Sequence, residues 1–300
     1  MNHYRNLISA LLLSLLLLGS SHLGAEVTAS FVTETGYDKG ILWKVSSSTG
    51  RNSYLFGTIH VEDPRVIKLH TKVLNAIQRS KSMSLELIPD SQLQQKAMLT
   101  MLYTDGNTLQ KVVGTQLYQR SIKAMSSRGM PEQVVGLMKP WAVMTMLSLP
   151  KPITGEFLDK KLYNLAKRRG LKTYALESFE EQISVFDKLS RREQIKMLKH
   201  TLDELSEIPA QFEALKNAWL ASDLALLESL STQQLDATTT GDSTFKENIL
   251  DKRNKIMLER MQPRLNEGYA FIAVGALHLA GKTGLLNLLT QQGYTVTAVY

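Results

Sequence analysis

The sequence predicts an α/β or α+β fold: one β-sheet in which strands from the two ends of the chain pair, with a large helical insertion between them. Three observations lead there. Apolar strand-like runs sit near both ends of the chain, and the stretch between, about residues 91–230, repeatedly carries apolar residues three and four apart. Both ends also share one order: strand, G-x-x-H, helix, strand.

The elements follow in chain order. Ile41-Leu42-Trp43-Lys44-Val45 and Tyr54-Leu55-Phe56 flank the turn-rich "SSSTGRNS" and read as a hairpin. Asp63-Pro64 supplies an N-cap and a proline at the first helical position, opening a helix to about Arg79. "SMSLELI" (82–88) reads as a strand ended by Pro89. "SQLQQKAMLTMLY", "TLQKVVGTQLYQRSIKAM", "PEQVVGLM" and "PWAVMTML" read as helices punctuated by Pro131, Pro140 and Pro150. "GEFLDKKLYNLAKRRG" is a helix closed by Gly170 and followed by the strand "LKTYALE" (171–177). More helices are expected over 178–230, then a polar loop over 231–245, then a helix from about Phe245 to Met261 before Pro263. "YAFIAVGAL" is long and apolar enough for a buried strand. "GKTGLLNLLTQQG" reads as a helix stopped at Gly293, and "YTVTAVY" as a closing strand.

Residues 1–25 stand apart. Arg5 precedes an apolar stretch from Leu7 to Leu18 whose only polar members are Ser9 and Ser14, and "GSSHLGA" follows with Ala25 as a plausible cleavage point. The expectation is a secretory signal peptide ahead of a single domain, residues 26–300. The membrane then enters only if that segment stays uncleaved. The chain has no cysteine, which excludes a lipid-anchored lipoprotein, disulfides and cysteine-ligated zinc. A signal peptide without disulfides points to the bacterial periplasm. The net charge of +7 is spread over helical faces such as "KRRGLK" and "RREQIK" and argues for solvated surfaces, with no nucleic acid as partner.

The histidines carry the chemistry. Tyr54-Leu-Phe-Gly57-Thr-Ile-His60 and Ile272-Ala-Val-Gly275-Ala-Leu-His278 run apolar, apolar, Gly, small, apolar, His. Gly57 and Gly275 allow close backbone approach, and His60 and His278 fall at the carboxyl ends of strands, where α/β sheets bind ligands. A single histidine after a buried strand is more often a structural residue, and His70 and His200, inside helical patterns, are read as surface or satisfied. The tail Gly281-Lys282-Thr283 invites a phosphate-loop reading, but residue 276, where the first glycine belongs, is alanine. No nucleotide site is expected, and Lys282 and Thr283 are read as the first turn of a helix.

With "LFGTIHVED" and "AVGALHLAGKTGLLNLLTQQGYTV" at its ends, "SLELI" with Glu86, "LDKKLYNLAKRRGLKTYALESFEEQ" with Glu177 and "KRNKIM" with Arg253-Asn254 between, the chain resembles the TraB/GumN family, related to the TIKI proteins of animals. The resemblance covers residues 40–300. It implies a mixed sheet built from two related halves and flanked by helices, as in erythromycin esterase-like and ChaN-like proteins. It also implies a metal-dependent peptidase acting on a peptide or protein, with His60, Glu86, Glu177, Arg253, Asn254 and His278 as the site.

On that basis His60 and His278 would hold a divalent cation (Mn, Co or Zn), with Glu86 or Glu177 as carboxylate ligand and the other as general base. Arg253, beside Asn254, would stabilise an oxyanion or a substrate carboxylate. A shared metal at bond lengths of roughly 2.0–2.2 Å requires the two imidazoles to lie within about 10 Å of each other. The rival readings are a metal-free ester or amide hydrolase using histidine and glutamate, and a non-catalytic protein that retains a peptide or hydrophobic ligand. No H-E-x-x-H is present, which excludes a standard zincin.

Overall fold

The computed structural model describes residues 36–151, 154–239 and 243–300. The predicted signal peptide lies outside the described residues. The fold class is as expected: six strands, β1 Leu42–Ser46, β2 Asn52–Thr58, β3 Ser82–Leu85, β4 Lys172–Ala175, β5 Ala270–Gly275 and β6 Thr295–Ala298, form one mixed sheet flanked by helices. Their order is β4-β3-β5-β2-β1-β6. The β1–β2 hairpin and the β1–β6 pair are antiparallel, so the first and last strands meet as predicted. The four strands β4, β3, β5 and β2 run parallel.

Burial explains which strand is central. All six residues of β5 are buried, as a strand covered on both faces requires, whereas the edge strands β4 and β6 are largely exposed. Phe56 and Phe271 pack with ring centroids 5.9 Å apart across β2 and β5. Trp219, from the Ile208–Leu220 helix, donates its indole N–H to the Gly57 carbonyl at 2.9 Å. At Gly57 the backbone approach leaves no room for a side chain. A Cβ there would stand 2.7 Å from Leu279 Cδ1 and 3.0 Å from Ala276 Cα.

Several element boundaries differ from expectation. The helix predicted from Asp63 to Arg79 is two, Pro64–Ile67 and Thr71–Gln78. His70 stands between them as an N-cap, accepting from the Lys72 N–H at 3.2 Å while its ring stacks on Tyr300 at 4.1 Å. It is therefore a cap, not a residue within a helix. His200 is neither exposed nor satisfied: its Nε2 is buried without a hydrogen-bond partner among the described residues. The third strand stops at Leu85, one residue before Glu86.

The polar stretch at 231–245 is helical over most of its length, since the Leu224–Thr239 helix runs through it and Ser243–Lys246 resumes. Pro263 does not end a helix but lies inside Lys252–Glu267. Burial of Met257, Leu258, Met261 and Leu265 offsets the roughly 3 kcal/mol that an interior proline costs. The last helix begins only at Leu285, so Lys282 and Thr283 belong to the preceding turn rather than to its first turn.

The helix Phe179–Asp187, which follows Glu177, starts in a capping box between Ser178 and Glu181. Glu181 also pairs with Arg260 at 2.6 Å, and chiefly that contact, helped by the Ser178 bonds, lowers its carboxyl pKa to about 2 against the opposing effect of burial. A depressed folded-state pKa stabilises the fold above the unfolded value of about 4.5 and is lost as pH falls toward about 2. Glu181→Gln keeps the cap and removes the charge. After discounting for solvent screening of this half-exposed pair, the variant is expected to be about 0.5–1 kcal/mol less stable at pH 7. Urea melts from pH 7 down to pH 3 should show that gap closing; a gap that does not change with pH would refute the ion-pair assignment.

Candidate functional site

The carboxyl ends of the four parallel strands converge. β2 and β5 are neighbours with Thr58 opposite Gly275, and β3 joins β5 with Leu85 opposite Ala273. His60 lies two residues beyond β2, and His278 closes the single 3-10 turn Ala276–His278 that follows β5. Glu86 is the residue after β3, and Glu177, two residues beyond β4, donates its N–H to the Glu86 carbonyl at 2.9 Å. Each parallel strand thus delivers one candidate side chain to the same edge of the sheet, as the rule for ligand sites in α/β sheets leads one to expect.

Gly275 is the point around which they gather. A Cβ built there would lie 3.2 Å from Glu86 Oε1, 3.6 Å from His278 Cδ2 and 3.9 Å from His60 Nε2. These two ring atoms, each within 4 Å of one point, are less than about 8 Å apart, inside the roughly 10 Å expected of the imidazoles, whereas two nitrogens bound to one ion stand no more than about 4.4 Å apart. Gly275 also donates its N–H to Glu86 Oε1 at 2.6 Å. So the two motif glycines do different things: Gly57 lets β2 pack against the turn after β5, and Gly275 leaves the space between the histidines open.

Arg253 and Asn254 come from the helix Lys252–Glu267, entered through a π-helical turn, Glu247–Asp251. Such bulges recur at functional sites, and here Arg253 Nη1 donates back into it, to the Ile249 carbonyl at 3.2 Å. Arg253 grips Glu177 through both carboxylate oxygens, Nε to Oε1 at 2.8 Å and Nη2 to Oε2 at 2.6 Å, and its Nη2 also reaches Glu86 Oε2 at 2.9 Å. Four of its five N–H groups are spent inside the protein. It therefore clamps two carboxylates rather than standing free for an oxyanion. Glu177, with both oxygens engaged, lies behind Arg253, and Glu86 is the carboxylate that faces the imidazoles, 3.8 Å from His278 Nε2.

Both rings are held through Nδ1. His278 Nδ1 pairs with Asn254 Oδ1 at 2.6 Å, while Asn254 Nδ2 donates to the Thr283 carbonyl at 2.8 Å. The amide, fixed by that carbonyl, presents its oxygen to the ring, so the ring proton sits on Nδ1 and the Nε2 lone pair faces Glu86. His60 Nδ1 donates to Asp159 Oδ2 at 2.5 Å, and Asp159 Oδ1 accepts from the Thr58 hydroxyl at 2.8 Å. Neither Nε2 has a hydrogen-bond partner among the described residues.

Burial and charge set these groups apart. For His278, burial first, then the charges of Arg253 and His60, hold the ring pKa well below its ordinary value. At His60 burial also disfavours the charged ring, but Asp159, helped by Glu86, outweighs it and the pKa is raised. Burial pushes the Glu86 carboxyl up; Arg253 opposes this and Glu177 adds to it. The side chains of Glu86, Glu177, Arg253 and His278 are nearly sealed, and only His60, at 9% side-chain exposure, reaches the surface, so approach is from its side.

Two members of this network escaped the sequence reading. Asp159, 3% exposed, lies on the buried stripe Leu158–Leu162–Ala166 of the helix Leu158–Arg168. Gln182, fully buried, shares the stripe Phe179–Ile183–Phe186 and donates to both Glu86 Oε2 at 3.2 Å and Glu177 Oε2 at 3.4 Å. A polar side chain on an otherwise apolar helical face was the readable signal in each case.

Among the described residues no three His, Asp or Glu side chains stand as a ready-made metal-binding group. The donors fit in kind: two imidazoles fixed through Nδ1 with Nε2 lone pairs turned to a common space, and one carboxylate oxygen beside them. They do not form a coordination shell here, and the Glu177 oxygens are held by Arg253 and Gln182.

The profile of the TraB/PrgY/gumN family matches residues 41–298. The chain is 23% identical to a metalloprotease TIKI homologue of Amphimedon queenslandica over 97% of its own length and 66% of the relative's. It is 28% identical to Metalloprotease TIKI1 of Danio rerio, over 81% of this chain and 60% of the relative, and 25% identical to Metalloprotease TIKI2 of the same fish, over 81% and 58%. The chain thus spans less than two thirds of the length of these relatives. No solved structure matches it. With the sequence profile covering both G-x-x-H units and every strand but the last residues of the chain, the chain belongs to the TraB/PrgY/gumN family.

Proposed function

We propose that the protein is a metal-assisted hydrolase of the peptidase type, acting on a peptide or protein in the bacterial periplasm. The observation that carries this reading is the convergence of His60 Nε2, the His278 ring and Glu86 Oε1 on the space above Gly275. The names of the relatives, metalloproteases at 23–28% identity, agree with it. His60, His278 and Glu86 would hold the ion. A bound divalent cation of the Mn, Co or Zn type supplies Lewis-acid polarisation of a scissile carbonyl.

The chain's own residues do the rest. Glycine at 275 leaves room for a reacting group beside both rings. Arg253 and Gln182 hold Glu86 by its Oε2, leaving Oε1 turned to that room. Burial keeps water scarce and strengthens every charge interaction there.

A second reading, metal-free hydrolysis, has one observation of its own. His60 backed by Asp159 is an imidazole with a raised pKa and a free Nε2, the arrangement of a general base. One experiment separates the two: metal analysis of the purified protein, with a peptide-library digest run with Mn²⁺, Co²⁺ or Zn²⁺ and after chelation. Cleavage that needs an added metal and disappears with chelator is the expected result. Cleavage that survives chelation assigns the work to His60 and Asp159. No cleavage under any metal, with peptide retained tightly, sinks both and leaves a binding protein. Periplasmic residence is checked by cell fractionation; recovery in the cytoplasm with residues 1–25 intact would overturn it.

A further inference from the structure

The two histidines occupy matching motifs, yet different chemistry stands behind them. Behind His278 is an amide, Asn254; behind His60 is a carboxylate, Asp159. Each comes from a helix packed beside the sheet, and each has its second polar atom tied down, Asn254 Nδ2 by the Thr283 carbonyl and Asp159 Oδ1 by the Thr58 hydroxyl. Asp159 stands second in the stretch "LDKKLYNLAKRRGLKTYALESFEEQ" that leads to Glu177, but the resemblance gives it no role beside His60, Glu86, Glu177, Arg253, Asn254 and His278.

We propose that Asp159 is the positioning residue of His60: it fixes the imidazole with its proton on Nδ1 and its Nε2 lone pair toward Gly275. The inference rests on the reading of this edge as the functional site. Four observations support it. An ionised carboxylate only accepts hydrogen bonds, so a ring nitrogen 2.5 Å from Asp159 Oδ2 must be the donor. Which nitrogen of an imidazole is protonated is set by the bond the other makes, and here that bond is at Nδ1. The freed Nε2 is the atom lying 3.9 Å from the Gly275 Cβ position.

The fourth is the cost of keeping Asp159 where it is. It sits 3% exposed between Leu158 and Leu162, where desolvating a charge is expensive and an apolar residue would serve packing better. The first turn of its helix, whose N-cap Phe157 makes no side-chain cap bond, returns a fraction of that cost through the helix dipole. The remainder is met by the two donors, Thr58 and His60. Thr58 is the last residue of β2, so the aim of His60 is built into the strand that carries it.

The test uses the intact, chelator-treated protein. Long-range ¹H–¹⁵N NMR of ¹⁵N-histidine-labelled protein reports which ring nitrogen bears the proton, with His60 assigned by difference against His60→Gln. The neutral His60 ring is expected to be protonated on Nδ1 in the wild type. Asp159→Asn, which offers an amide oxygen as Asn254 does to His278, should retain that tautomer. Asp159→Ala should lose it and lower kcat about 10- to 100-fold with a smaller change in KM.

A wild-type ring protonated on Nε2, or a folded Asp159→Ala protein still protonated on Nδ1, overturns the proposal. Should the alanine variant not fold, the wild-type spectrum alone decides, Nδ1 for and Nε2 against. Because the tautomer is read without metal or substrate, this result stands apart from the digest. A protein that cleaves nothing yet shows the tautomer switch would refute the hydrolase reading and keep the assignment of Asp159.

Discussion

Replacing Arg253 with methionine is expected to destabilise the protein by about 3–5 kcal/mol at neutral pH, the loss that follows when one partner of a buried ion pair is removed. Arg253 is 3% exposed and makes three of its hydrogen bonds to Glu86 and Glu177, which are equally buried. Without it the two carboxylates face each other with only the Gln182 amide between them. One would then have to take up a proton or stay charged and unpaired. Burial already raises the Glu86 pKa against the pull of Arg253, so removing Arg253 pushes it further in the same direction. The loss should therefore be smaller at pH 5, where protonation costs less. Arg253→Lys keeps a charge but not the two-pronged grip on Glu177, and an intermediate loss is expected. Urea or thermal melts at two pH values measure all three; a methionine variant as stable as the wild type would show that the clamp is not what holds these carboxylates.

The second large effect is at the histidines. His60→Ala should reduce kcat/KM at least about 100-fold, the lower range for loss of an acid–base or ligand group. Its consequence for bound metal distinguishes the two hydrolytic readings. If His60 and His278 share an ion, either alanine variant loses it; if His60 is a base without metal, activity falls and metal content is unchanged. A His60→Ala protein with both metal and hydrolysis intact means the site is elsewhere. Stability should move less than in the Arg253 variants, because the removed ring leaves Asp159 with Thr58 and a route to solvent on the His60 side.

How much of this was legible follows from distance along the chain. The G-x-x-H units were readable because glycine and histidine punctuate apolar runs within four residues. The pairing of β1 with β6 was readable because apolar alternation marks both ends. The Glu86–Arg253 contact joins residues 167 apart, and no local pattern announces it; only the resemblance brought those residues together on paper. Asp159 and Gln182 show in the sequence only as single polar residues on apolar helical faces, and helical periodicity alone gives such a residue no partner. The break at His70 was hidden for another reason. Its cap is made by an imidazole, a residue type outside the usual Ser, Thr, Asp and Asn, so nothing in the composition interrupts the helical period there. Lys282 and Thr283 were misplaced by a turn, and with them went the part Thr283 plays: its backbone carbonyl orients Asn254 and through it His278.

The position of β5 has a consequence for how this chain can be made. It is the third strand of the sheet in space but the fifth in sequence, inserted between β2 and β3. Those two strands are complete by Leu85, yet they do not pair with each other: β5, which begins only at Ala270, joins them by pairing with both. A nascent chain emerging amino-terminus first can therefore pair β1 with β2 and β3 with β4 but cannot join the two pairs into one sheet. The facing edges of β2 and β3 stay unpaired until β5 is available, so closing the sheet depends on contacts of long sequence separation.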